Sequence, residues 1–69
     1  MDINTRHGGP YDRGRADSYY QRGRKPHYFK GDTYNSDIVT EESMTLEEIN
    51  DYYLGFDENE AEHNFKDWE

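Results

Sequence analysis

Met44-Thr45-Leu46-Glu47-Glu48-Ile49 is the stretch on which the fold turns. Thr45 and Glu48 stand at the spacing of a capping box. The threonine hydroxyl accepts from the Glu48 backbone N–H, and the Glu48 carboxylate reaches back to the N–H of Thr45. Met44 and Ile49 occupy the two positions of a hydrophobic staple around the same cap. Glu47 and Glu48 also put negative charge in the first turn, where the open N–H groups of a helix start favour it. Apolar side chains then recur at Leu46, Ile49, Tyr53 and Phe56, which is one helical face. Glu47, Asp51, Glu58 and Glu62 fall away from that face. The pattern predicts a helix over about 45–55, with an outer limit at 62. Gly55 weakens a helix interior by about 1 kcal/mol relative to alanine, so the helix is expected to stop or bend there. Just upstream, Asp37-Ile38-Val39-Thr40 reads as a short strand near 37–40.

Toward the N-terminus the pattern breaks up. Gly8-Gly9-Pro10, Gly14, Gly23, Pro26 and Gly31 leave no helical run of ordinary length. The first half therefore reads as extended segments and turns, with Gly8-Gly9-Pro10 outside any regular element. It holds a near-repeat, residues 12–20 and then 21–29, in which Arg-Gly-Arg is followed after three residues by an aromatic pair. Two copies are too few for a solenoid. The fold class expected is small α+β or mostly irregular. It is a single domain over 1–69, with an extended N-terminal half and one capped C-terminal helix.

Charge divides the chain at the same place. Residues 1–32 hold seven bases and four acids, whereas residues 33–69 hold Lys66 against twelve acids, giving −8 for the whole. The first part is a basic arm rich in Gly, Tyr and Arg; the second is an acidic helical segment. The arm can lie against the acidic segment, the two can touch different surfaces of a partner, or two copies can pair head to tail as a homo-oligomer.

Leu, Ile, Val and Phe number nine in 69 residues, under the roughly one-fifth below which a charged chain verges on disorder. That leaves no room for two domains, a nucleotide-binding sheet or a deep active-site cavity. No apolar run approaches the length of a membrane span, and no signal-peptide core opens the chain, which reads as cytoplasmic. Without cysteine there are neither disulfides nor thiolate metal sites. A domain this small usually needs a staple, a metal or a partner, so a partner is expected.

Chemistry-bearing constellations are few. His7, His27 and His63 share no ligand spacing. Asp57-Glu58-Asn59-Glu60-Ala61-Glu62 begins like a calcium loop but puts Ala61 at a ligand position, Glu62 where glycine is needed and Trp68 where the bidentate Glu belongs. No metal or cofactor is expected. Ser18, Ser36 and Ser43 lack a nucleophile elbow, and the carboxylates lack an apolar pocket to split their pKa values. The chain is not expected to be an enzyme. Seven tyrosines among eleven aromatics are a different matter: they offer large, stiff contact area with a hydroxyl that tolerates water. The aromatic anchors expected to bind a partner are Tyr19, Tyr20, Tyr28, Phe29, Tyr53, Phe56 and Trp68. Arg13, Arg15, Arg22 and Arg24 of the arm, and Glu47, Asp51, Glu58 and Glu62 of the helix, are the charged contacts.

The strings Arg6-His7-Gly8-Gly9-Pro10-Tyr11-Asp12-Arg13-Gly14, Asp17-Ser18-Tyr19-Tyr20, Pro26-His27-Tyr28-Phe29 and Gly31-Asp32-Thr33-Tyr34 resemble a family of small tailed-bacteriophage accessory proteins. So do Met44-Thr45-Leu46-Glu47-Glu48-Ile49, Gly55-Phe56-Asp57-Glu58-Asn59-Glu60 and Phe65-Lys66-Asp67-Trp68. Where the family pattern carries glycine before its closing Phe-Lys-Asp-Trp, this chain has His63-Asn64. The resemblance spans nearly the whole chain and implies a phage origin and action in the cytoplasm of an infected bacterium. It also implies a target that is a host protein, such as a bacteriophage-exclusion or restriction-type complex. The expected function is non-enzymatic inhibition of a host defence or nucleic-acid-handling factor, blocking its assembly or its DNA access. One alternative is a DNA mimic acting through the acidic helix, whose carboxylates would stand in for phosphates. Another is a regulator that grips single-stranded nucleic acid through the Arg-Gly-Arg steps. Direct nucleic-acid binding is disfavoured by the net charge, and no membrane role is expected.

Overall fold

The computed structural model describes residues 5–31 and 36–67. Helix α1 spans Pro10–Tyr19, strand β1 His27–Phe29, strand β2 Ile38–Thr40, a single 3-10 turn Glu41–Ser43, and helix α2 Leu46–Glu62. The strands pair antiparallel, with Tyr28 opposite Val39. This is a small α+β fold.

Helix α2 starts as its sequence dictates. The Glu48 N–H donates to the Thr45 hydroxyl at 3.1 Å, and the Thr45 N–H donates to Glu48 Oε1 at 2.9 Å. The helix then runs past Gly55 to its outer expected limit. His63 ends it in the left-handed conformation, φ 54°, with its N–H turned back on the Asn59 and Glu60 carbonyls. Thr45→Ala removes one half of the reciprocal cap and is expected to cost about 1 kcal/mol in urea unfolding. Faster amide exchange of Glu47 and Glu48 would accompany the loss.

The expectation of an extended first half is corrected over residues 10–19, which are helical. Pro10 takes the first helical position, where its missing N–H costs nothing and its fixed φ suits the turn. The Gly9 N-cap supplies no side chain, but Asp12 reaches back from the first turn to accept from the Gly8 N–H at 2.9 Å. Gly8-Gly9-Pro10 therefore builds a helix start rather than lying outside one. The near-repeat is no structural repeat: its first copy is largely helix and its second is turn and strand.

What makes α1 viable is its crossing with α2. A Cβ on Gly14 would lie 2.0 Å from the Tyr52 carbonyl oxygen, and one on Gly55 would lie 2.2 Å from that of Tyr11. The helices meet backbone to backbone, each through its own glycine. Gly55 is thus not a stop. The crossing also turns α2 relative to the face expected from Leu46, Ile49, Tyr53 and Phe56. The buried positions are Tyr52, Gly55, Phe56 and Asn59, while Leu46 is 78% exposed. Close approach is available only on the glycine side, and that outweighs the apolar count.

The core is thin and half polar. Phe29, Val39, Tyr52 and Phe56 are buried, and so are Arg13, Asp17, Ser18 and Asn59. Ser18 Oγ accepts from Asn59 Nδ2 at 2.9 Å and donates to Glu60 Oε2 at 2.7 Å, bolting the helices together beyond the glycine crossing. The Tyr52 hydroxyl donates to Asp17 and accepts from the Lys25 N–H at 3.0 Å. His27 closes the same network. Its Nδ1 lies 2.7 Å from the Lys25 carbonyl, and its Nε2 accepts from Arg13 Nε at 3.2 Å, so the proton sits on Nδ1.

Candidate functional site

The two charged halves do lie against each other, and this decides which side chains remain for a partner. Arg15, on α1, meets Glu62 at 2.6 Å and Glu58 at 3.8 Å, and Tyr11 donates its hydroxyl to Glu58. Arg24 meets Asp57 at 2.8 Å, with its guanidinium 4.8 Å from the Phe56 ring centre. Glu60 takes the Ser18 hydroxyl. Every acid from Asp57 to Glu62 is therefore engaged by the N-terminal half. The hydrogen bond from Arg15 holds the Glu62 carboxyl below its usual range, and that pair raises the Arg15 guanidinium in turn. Glu58 raises the Tyr11 phenol. These pairs are largely exposed, so each contributes modestly.

The aromatic candidates divide in the same way. Phe29 and Phe56 are core and cannot serve as anchors without unfolding the chain. Tyr19 and Tyr53 are half-buried. Tyr20 is 38% exposed, with the Arg22 guanidinium 4.8 Å from its ring centre. Tyr28 is half-buried beside Arg6 and Glu48; burial first, and the Glu48 hydrogen bond second, push its phenol up. Trp68 lies outside the described residues. Arg13 is buried above Phe29, and Arg22 binds Asp17 at 3.2 Å. Of the basic candidates, none presents an uncommitted guanidinium.

The free carboxylates cluster elsewhere. Among the described residues, the side chains of Asp37, Glu41, Glu47 and Asp51 have no hydrogen bond or ion pair. They run from the start of β2 through the first two turns of α2. Ile38, 53% exposed, and Leu46, 78% exposed, lie in the same stretch. Glu47 and Asp51 also line a groove with Arg6, Pro10, Tyr28 and Lys30. The segment 37–51 thus combines unpaired carboxylates with the two most exposed aliphatic side chains among the described residues. Of the carboxylates expected to bind, it contains Glu47 and Asp51; Glu58 and Glu62 are spent on Arg15.

Ile38, Leu46, Asp37 and Glu41 escaped the sequence reading. Leu46 was placed on the buried face by its spacing, and nothing local marks Ile38 as exposed. No three His, Asp or Glu side chains among the described residues converge as metal ligands. No helix among them is long and apolar enough to cross a membrane. No family model matches the chain, and no curated protein or solved structure matches it.

Proposed function

We propose that this chain is a non-enzymatic bacteriophage accessory protein that binds a host protein and inhibits it. The target is a defence, restriction or nucleic-acid-handling factor whose assembly or DNA access is blocked. The observation that carries this reading is the division of labour along α2. Its later acids hold the fold together, whereas Glu47 and Asp51, with Leu46 and the nearby Ile38, are left for another surface. Exposed aliphatic side chains within a charged rim suit a protein partner, because desolvated apolar groups supply affinity and rim charges mainly steer the approach.

DNA mimicry is the second reading. It is supported by the unpaired Glu47 and Asp51, but it loses the other two carboxylates it relied on. A single-strand binder fares worse: Arg15, Arg22 and Arg24 would have to leave carboxylate partners to reach phosphates.

The test is capture of the partner by the tagged protein from bacterial lysate, with and without nuclease, followed by rate measurements on the purified pair. Capture is expected to survive nuclease. Ile38→Ser with Leu46→Ser is expected to speed dissociation at least tenfold, about 1.4 kcal/mol. Glu47→Gln with Asp51→Asn is expected to slow association and flatten its salt dependence. Nuclease-sensitive capture transfers the function to nucleic acid. Complete loss in the carboxylate variant, with the serine variant unaffected, transfers it to mimicry.

A further inference from the structure

We infer that the outer edge of β2 is a strand-addition site for a basic, extended segment of the partner, an inference that rests on the protein-binding role above. The hydrogen-bond register identifies the open groups. Lys30 N–H donates to the carbonyl of Asp37, its direct partner, at 3.1 Å. Hydrogen-bonded and non-hydrogen-bonded pairs alternate along an antiparallel ladder. Tyr28 and Val39 are therefore a bonded pair, whereas Phe29 with Ile38, and His27 with Thr40, are not. The N–H groups of Ile38 and Thr40 and the carbonyl of Ile38 consequently project away from β1. No backbone or side-chain group among the described residues meets them.

The other edge of the ribbon is covered at Phe29. Phe29 N–H donates to the Gly8 carbonyl at 2.7 Å, and the Phe29 carbonyl accepts from Arg6 at 2.7 Å. At the facing position on β2, Ile38, no such cover exists among the described residues. Both faces beside it are hollow. On one, His27, Phe29, Ile38 and Thr40 line a groove of about 570 Å³. On the other, Tyr28, Val39 and Ser43 line one of about 340 Å³. An added strand turns alternate side chains to opposite faces, so its backbone would fill the ladder while its apolar side chains entered both grooves.

Charge selects the occupant. Unpaired Asp37 precedes the strand and unpaired Glu41 follows it, with Glu42 beside Glu41. Arg22, Arg24 and Lys25 also line the larger groove and Lys30 the smaller, but Arg22 and Arg24 are bound to Asp17 and Asp57, which leaves two lysines against Asp37, Glu41 and Glu42. A second copy would bring the same acids to the same edge and be repelled. A segment with an apolar centre and Lys or Arg on both flanks is drawn in.

The experiment titrates the isotope-labelled full chain with the synthetic peptide Lys-Lys-Val-Ile-Val-Lys-Lys and follows amide exchange. The amides of Ile38 and Thr40 are expected to slow at least tenfold at saturation. The same peptide with Glu for Lys is expected to leave them unchanged. Thr40→Pro deletes one outward N–H and no rung of the existing ladder, at a position whose φ of −98° lies roughly 20° beyond proline's range, a shift that strand ends absorb. It is expected to weaken the peptide at least tenfold. Should that variant fail to fold, protection of the two amides in the unaltered chain decides alone. Protection confined to the start of α2, or none anywhere, overturns the inference. If a host protein is captured and Thr40→Pro leaves that capture unchanged, the edge is overturned while the protein-binding role stands.

Discussion

Gly55→Ala is expected to destabilise the protein by about 2 kcal/mol or more, although the same change in an ordinary helix interior gains about 1 kcal/mol. The new methyl would stand 2.2 Å from the Tyr11 carbonyl oxygen and 3.2 Å from its Cα. These are backbone atoms of another helix and cannot rotate away. Either α1 shifts as a body, loosening the Ser18–Asn59 bolt, or the clash remains. In a domain of this size 1 kcal/mol corresponds to about 4–8 °C, so Tm is expected to fall by about 8 °C or more. Gly14→Ala meets the Tyr52 carbonyl oxygen at 2.0 Å and is expected to behave alike. Asn50→Ala, at an exposed position of α2, is expected to raise Tm slightly and serves as the propensity control. Thermal melts by circular dichroism make the comparison. A higher Tm for Gly55→Ala would mean that the helices do not touch there.

Tyr52→Phe is expected to cost about 2 kcal/mol without leaving a cavity. The ring survives, but the Lys25 N–H loses its acceptor and buried Asp17 loses a donor, keeping its ion pair with Arg22. The change also alters the response to alkali. Burial, and behind it the hydrogen bond to Asp17, push the Tyr52 phenol well above its ordinary value of 10. The folded chain therefore holds that proton more tightly than the unfolded chain does. Its contribution is complete below about pH 10 and is lost as pH rises beyond it. Unfolding free energies measured between pH 8 and 11 are expected to fall more steeply in the unaltered protein than in Tyr52→Phe. Parallel slopes would remove Tyr52 from the alkaline transition.

Helix α2 was legible because everything that defines its start is local: Thr45 and Glu48 lie three residues apart and complete each other. Helix α1 was not. It has no side-chain cap at Gly9 and a glycine at its centre, and both read locally as breakers. Its justification lies 41 residues away, where Gly55 lets the Tyr11 backbone approach. The same distant contact misdirected the face of α2, exposing Leu46 and burying Tyr52 in place of Tyr53. Two of the aromatics expected at an interface lie in the core instead. With so few aliphatic residues, Phe29 and Phe56 have to supply the core. The charge split between halves was visible in the composition. That Arg15 and Arg24 would consume the acids beyond residue 56 was not, since their pairing follows from how the helices cross.

The glycine crossing also fixes when the chain can fold during its own synthesis. Residues 10–19 leave the ribosome first, yet on their own they are a glycine-interrupted segment with no side-chain cap and nothing to pack against. Most of their partner surface arrives only with Tyr52 to Asn59. Until α2 has emerged, the N-terminal half is an open, arginine- and tyrosine-rich nascent chain. A stop codon before residue 52 would therefore leave a product that proteases can clear, and native structure would appear in one late step rather than by gradual growth from the N-terminus.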